Sequence, residues 1–402
     1  MPVMLIPILV AAIIIAVIVS IGLIAVKKNL HLWIGPYLSR RIRRAWTQSK
    51  AGDHKTIHIL FCIVDHFEPI TDGSTVEQER SRMQDWLERY PELAGRHRDS
   101  DGKPPQHTWF YPGENYRPEY LDNLVSLCRM GLGEIELHLH HGNDTTVSLR
   151  EKINTAISNF SKHGALTTEG TPSRHAYGFI HGNMALDNSM NDPRLCGVNA
   201  EITVLKETGC YADFSMPTAP AVSQTRKVNS IYYAIDDPDE PKSHDCGVDV
   251  VAGHTMKNGL MIIQGPLALS WSTSSRRRVL PKIENGEIQG SNPPSAGRIS
   301  KWVQQHVHVK GREEWVIVKV SCHGAEDRSR DVILGAVADE MYSCLEANYR
   351  DQTGYALHYV TARELYNIIK AAEEGLDGDP GKYRDHVIPR YITHSGPIPQ
   401  GA

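Results

Sequence analysis

The chain is 402 residues long with 41% apolar and 22% charged side chains, enough for a sizeable core in one large domain or two. Its net charge of −4 hides an asymmetry: seven of the 43 basic residues precede Asp53, the first acidic one, which leaves 36 basic against 47 acidic residues in the remainder. A body that acidic is unsuited to nucleic acid, and seven cysteines without a Cys-x-x-Cys pair exclude a disulfide framework and a zinc knuckle.

Pro2 to Val26 carries no charge and is dominated by Ile, Val, Leu and Ala. About 20 apolar residues at ~1.5 Å rise cross a bilayer core, so the sequence predicts a transmembrane helix over residues 2–26. It lacks the basic n-region and the A-x-A site of a cleaved signal peptide. Its flanking positive charge lies on the C-terminal side (Lys27, Lys28, Arg40, Arg41, Arg43, Arg44 and Lys50). By the positive-inside rule the body then faces the cytoplasm, a periplasmic or extracellular body being the alternative. Residues 27–55 interleave Trp33, Tyr37, Leu38, Ile42 and Trp46 with those cations, as an interfacial helix at anionic headgroups does. A break is expected at Gly35-Pro36.

From Thr56 the pattern becomes strand–helix alternation. Strands are expected at Ile57–Val64, His107–Tyr111, the run ending at His138, Ala176–Ile180, Tyr211–Met216, Ser230–Ile235, Leu260–Ile263, Trp315–Val320 and Ala356–Val360. Helices are expected at Val76–Leu93, Pro118–Met130, Thr145–Phe160, Asn199–Thr208, Asp331–Tyr349 and Thr361–Glu374, the last capped by Thr361. Arg276–Arg298, rich in Gly, Pro and Ser, reads as a flexible insertion, and 376–402 as a surface tail. Such alternation implies a parallel sheet covered by helices, and about seven units are expected to close into a barrel over 56–375.

The chemistry concentrates in Glu134-Ile-Glu-Leu-His138-Leu-His140-His141-Gly-Asn-Asp144. Residues two apart on a strand share a face, so His138 and His140 point together, while His141 and Asp144 sit where strand gives way to loop. Two further strand ends carry titratable groups, Asp65-His66-Phe-Glu68 and His323. Barrels of this kind place active residues at the C-terminal strand ends, and buried polar groups need partners. A shared metal supplies one. His181 reads equally as a ligand-orienting group and as a satisfied core histidine. Asp187, Asp213 and Ser215 fit the cleft or loop capping, Trp109, Phe110, Tyr111 and Tyr116 fit sugar stacking or packing, and His306 and His308 are expected in solvent.

Val64-Asp65-His66, Glu134-Ile-Glu-Leu-His138, Gly209-Cys-Tyr211-Ala-Asp213-Phe-Ser215 and Val320-Ser-Cys-His323 follow one another as in the polysaccharide deacetylase (NodB-like) family of carbohydrate esterases, which the chain distantly resembles from about Ile57 to Ala372. The resemblance implies a distorted (β/α)7 barrel and metal-assisted hydrolysis of an N- or O-acyl group on a sugar. It implies Asp65 as general base, His66 in the place of a carboxylate ligand, His138 as first histidine ligand and His323 as general acid. The family's second histidine falls on Gly142, so His140 or His141 must substitute. Its Arg-x-Pro-Tyr segment is replaced by Phe179-Ile-His181-Gly-Asn183, where His181 and Asn183, with Asp213 and Tyr111, are expected to bind substrate. The implied cofactor is a divalent metal, Zn²⁺ before others. Implied partners are an acylated glycan or lipid-linked glycan precursor, the bilayer, and glycan-biosynthesis membrane proteins. A glycoside hydrolase on the same barrel, which needs paired carboxylates, and a non-catalytic glycan-binding or assembly subunit are the rival readings.

Overall fold

The computed structural model describes residues 15–16, 19–20, 22–48, 55–168, 174–190, 192–270 and 281–392. Most of the expected transmembrane segment lies outside them. Among the described residues no helix is long and apolar enough to cross a membrane; the described part of the segment leaves Leu23, Ile24 and Val26 exposed.

The first helix, α1 (Leu30–Gln48), runs through Pro36 without the expected break. Packing accounts for this: Trp33 and Tyr37 are fully buried against Ala219, Val228, Leu267 and Ala268, so one face is held on the body on either side of the proline. These two aromatics therefore face protein, and among the described side chains of α1 the large apolar residues left exposed are Leu38 and Ile42.

The body continues as β1 (Ile57–His66), α2 (Val76–Gly95), β2 (His107–Pro112), α3 (Pro118–Arg129), β3 (Gly133–Leu139), α4 (Thr146–Ser161), β4 (Tyr177–His181), α5 (Glu201–Glu207) and β5 (Cys210–Asp213). It goes on through β6 (Ile231–Ala234), β7 (Val248–Asp249), β8 (Leu260–Ile263), β9 (Ala268–Ser270), β10 (Lys282–Glu284), β11 (Glu287–Ile288), α6 (Ala296–Gln305) and β12 (Trp315–Cys322). It ends with α7 (Asp327–Ile333), α8 (Ala336–Leu345), β13 (Tyr355–Tyr359) and α9 (Ala362–Glu373). Thr75, Thr145 and Thr361 each cap a helix by accepting the N–H three residues on.

Eleven strands make one curled sheet in the order β11-β12-β1-β2-β3-β4-β5-β8-β6-β7, with β13 beside the first half of β1. The core is parallel, whereas β6 pairs antiparallel with both β8 and β7. Among the described residues strand pairing does not close this sheet into the expected barrel. Irregular chain spans the gap instead: Val250 N–H reaches Ile231 O on β6, Ala252 N–H reaches Lys310 O, and Ile317 N–H on β12 reaches Val307 O.

Period-two alternation sorts the strand side chains into two layers. Ile59, Phe61 and Ile63 of β1 face the helices with Trp86 and Tyr90, while Leu60, Cys62 and Val64 face the interior with Phe110, Ile180, Phe214 and Ile317. Helix α9 packs against the interior at the N-terminal strand ends, where Ala362 N–H donates to Thr108 Oγ1. The helix expected over Asp331–Tyr349 is split at Gly335, whose backbone is extended (φ −122°, ψ −164°) between α7 and α8. Within the expected insertion, residues 281–298 form β10, β11 and the start of α6, with Arg298 donating to Glu284; residues 271–280 lie outside the described part. The expected surface tail buries Arg384, Ile388 and Tyr391. His306 and His308 are half-buried, not solvated.

Candidate metal centre

At the C-terminal edge of the parallel strands, β3 projects His138 and His140 to the interior side. His138 is fully buried, and its Nδ1 lies 3.0 Å from Ile180 O on β4. A carbonyl oxygen only accepts, so Nδ1 carries the proton and Nε2 turns a lone pair outward. That lone pair meets Glu68 Oε1 at 2.8 Å. The same oxygen is 3.0 Å from His140 Nε2. On its other side His140 Nδ1 is 2.7 Å from Glu114 Oε1, in the short turn Gly113–Asn115 after β2. Carboxylates facing imidazole nitrogens on this scale require a positive charge among them, either an added proton or a cation. In the metal-free protein His140 takes the proton. Burial opposes its charge, but Glu114 and Glu68 outweigh burial and raise it to about 10. Burial likewise opposes the Glu68 charge, yet the imidazoles of His138 and His140 beside it hold the carboxyl well below its usual range. One donor atom each of Glu68, His138 and His140 lies within 4.8 Å of the others.

His66, the last residue of β1, joins them. Its ring is edge-on to His138 at 4.9 Å between centroids and stacked on His323 at 4.7 Å. Burial, with His323 and His138 beside it, pushes its pKa well down and keeps it neutral. His323, just past β12, is 33% exposed and so meets both solvent and the cluster. Deeper in the interior Asp213 accepts the N–H and O–H of Ser215 at 3.0 and 2.7 Å. Burial raises Asp213 to about 7 and lowers Lys319, which donates to Phe214 O and Met216 O, to about 8.

Five expected site residues stand elsewhere or are occupied. Asp65 has the parity of Ile63 and points into the helical layer. Its oxygens accept Gly324 N–H at 2.6 Å and face His107 Nε2 at 2.8 Å, and it is fully buried. It therefore cannot serve as a base on the interior side. His141 and His181 lie together on the helical side, rings 4.5 Å apart, beside Cys196 and Glu201. Asn183 spends its amide on His141 O and Leu195 O, and Tyr111 is buried against Phe160 with its hydroxyl on Asn115 O. Glu114 carried no signal in the sequence. Of the carboxylates open to the rival glycosidase reading, Asp65 faces the helical layer, Asp187 is buried on Ser243 N–H and Asp213 is held by Ser215, whereas Glu68 stands in the cluster.

No family model matches this chain, and neither does any curated protein. Among solved structures it is similar to a chain assigned as a polysaccharide deacetylase from Mycobacterium smegmatis, at 11% identity and a TM-score of 0.42, over 82% of this chain and 96% of that one. A 4-alpha-glucanotransferase from Thermococcus litoralis is similar at 12% identity and a TM-score of 0.38, over 76% of this chain and 39% of that one. The likeness is distant.

The placement of Asp65 makes a first prediction. Asp65→Asn is expected to lower stability by about 1–3 kcal/mol, the cost of disturbing a buried charged hydrogen bond, and to leave the uptake of added divalent metal unchanged. Chemical denaturation with metal analysis checks this, and loss of metal without loss of stability would return Asp65 to the site.

Proposed function

We propose that this protein is a metal-dependent deacetylase that hydrolyses an N- or O-acyl group on a sugar. The observation that supports this most directly is Glu68 Oε1 lying 2.8 and 3.0 Å from the Nε2 atoms of His138 and His140. Two imidazoles and one carboxylate make a zinc-type donor set that leaves a position for substrate or water. Glu68, His138 and His140 would hold the ion, with neutral His66 beside them. A divalent ion there supplies Lewis acidity to an acyl oxygen and to water.

The remaining work falls to this chain's own groups. Ile180 O fixes the His138 tautomer and Glu114 fixes the His140 ring, the support that ligating histidines need. His323 combines partial exposure with a stacked neighbour, and in this reading it both takes the proton of the attacking water and returns it to the departing amine or alcohol. With Asp65 turned away, this single imidazole replaces the two-residue arrangement that the family resemblance implied.

The apolar run Pro2–Val26 is the proposed membrane anchor, with the body on the cytoplasmic side and a membrane-associated acylated sugar, such as a lipid-linked precursor, as substrate. The support is the sequence of that run and the outward Leu38 and Ile42 of α1.

The test is acetate release from N- and O-acetylated amino-sugar substrates by the full chain, which is expected to vanish on chelation and return with Zn²⁺. Activity indifferent to chelators would defeat the proposal. Glu114→Gln is expected to weaken metal affinity about 10–100-fold, measured by competition with a chromophoric chelator; unchanged affinity would remove Glu114 from the supporting role.

A further inference from the structure

The second cluster stands apart from that chemistry, on the opposite face of the same strand end. His141 follows β3, His181 ends β4, Cys196 follows the short turn Pro193–Leu195, and Glu201 opens α5. All four are buried, at 3%, 0%, 0% and 0% exposure, and one donor atom of each lies within 4.8 Å of the others.

Two ring nitrogens of the cluster, His141 Nδ1 and His181 Nε2, are buried without a hydrogen-bond partner. Asp144 Oδ2 lies 3.2 Å from His141 Nδ1, outside hydrogen-bond geometry, and His141 Nε2 bonds Glu201 Oε1 at 3.0 Å. A carboxylate behind one ring nitrogen, with the other nitrogen aimed at a cluster of donors, is the setting of a metal-bound histidine. The Cys196 thiol donates to Glu201 Oε2 at 3.4 Å and accepts Val198 N–H at 3.5 Å, and a bound metal would take the place of its proton. His181 Nε2 is buried, makes no hydrogen bond, and lies 3.8 Å from Glu201 Oε1. Its Nδ1 accepts Asn183 N–H at 3.2 Å, a contact between near neighbours that coordination through Nε2 would give up.

We infer that His141, His181, Cys196 and Glu201 form a closed structural site for a divalent transition metal, with zinc as the natural occupant. One thiolate, two imidazoles and one carboxylate suit a tetrahedral ion, and four protein donors leave no open position, as in structural rather than catalytic sites. Its position gives it a task. It ties the loop after β3 to the loop after β4, and Gly182 of that second loop lies directly beneath the His140 ring, where a Cβ would stand 2.3 Å from Cδ2. His140 and His141 would thus hold two ions back to back, the buried one keeping the exposed one's ligand in place.

Cobalt separates the two sites, because only this one contains sulfur. The full chain loaded with Co²⁺ is expected to bind two ions and to show a thiolate-to-cobalt charge-transfer band. The band should persist in His138→Ala, which loses one ion, and disappear in Cys196→Ser, which loses the other. Near-ultraviolet circular dichroism reports whether Cys196→Ser folds, and His181→Gln supplies a second variant expected to weaken the band. Absence of the band from folded, cobalt-loaded wild type overturns this site whatever His138→Ala does. So does a band that survives Cys196→Ser and vanishes in Cys322→Ser, the thiol beside Asp65 and His107. Loss of acetate release on chelation with one ion bound and no band would leave the proposed deacetylase standing and remove this site alone.

Discussion

His138→Ala is expected to lower kcat/KM for acetate release by at least about three orders of magnitude, the scale of several kcal/mol of Lewis-acid stabilisation. It should also lose one equivalent of metal. Both follow from the position of the ring: it is fully buried, its Nδ1 is committed to Ile180 O, and its Nε2 has only Glu68 before it. Alanine leaves the Glu68 carboxylate with His140 alone, and two donors do not hold a catalytic ion. His323→Ala provides the contrast. It is expected to lose about 10²–10⁴-fold in rate, the range of general acid–base catalysis, while keeping its metal, because His323 meets the cluster only through the face of His66. The pair of measurements separates a ligand from a proton carrier. Wild-type metal content and rate in His138→Ala would end the ligand assignment, and metal loss in His323→Ala would move that residue into the donor set.

Much of the fold could be read from the residues, and the reason is local. Buried strands such as Trp315–Cys322 are continuous apolar runs, and helices such as Ala362–Glu373 begin at a capping threonine, so both carry their signal within a few residues. What failed was decided by partners distant in sequence. Pro36 remains inside α1 because Trp33 and Tyr37 find Leu267 and Ala268. Residues 282–284 and 287–288 become strands because β9 and β12 offer them edges to pair with.

The site divides the same way. His138, His140, His66 and His323 do meet, but adjacent residues cannot share a face of a strand, so Asp65 and His66 could not both enter the interior, nor His140 and His141. Period-two parity was available for that decision at His138 and His140. It was not at β1, where both faces are apolar from Ile59 to Val64 and nothing marks the inner one. Glu114 lay beyond any such argument, since its turn reaches His140 only after β2 and β3 have paired.

The largest effect on stability is expected at Glu134, which the resemblance placed in the motif leading to His138 and which the fold uses at the other end of the strand. Glu134 is 3% exposed and accepts from Arg363 Nη2 at 2.7 Å, Thr361 Oγ1 at 2.7 Å and Arg390 Nε at 3.3 Å. Arg363 is fully buried and also donates to Arg384 O, Ile388 O and Asp385, so it binds β3, α9 and the C-terminal segment together. Glu134→Ala strands this guanidinium without its main counter-charge, at a cost of about 3–5 kcal/mol for breaking a buried pair from one side. The pH dependence has a definite sign. Burial alone would raise the Glu134 carboxyl, but Arg363 and Arg390 hold it at about 2, below the 4.5 of the unfolded chain. Its stabilisation is therefore complete above that unfolded value and is lost as pH falls towards the folded one. Urea midpoints of wild type and Glu134→Gln should accordingly converge on acidification. Replacing both partners, Glu134→Leu with Arg363→Met, should recover most of the loss, because a buried pair is weaker evidence of net stabilisation than either half alone suggests. A Glu134→Ala protein that unfolds at the wild-type midpoint would show that Arg363 finds its counter-charge in Asp385, the exposed alternative at 2.7 Å.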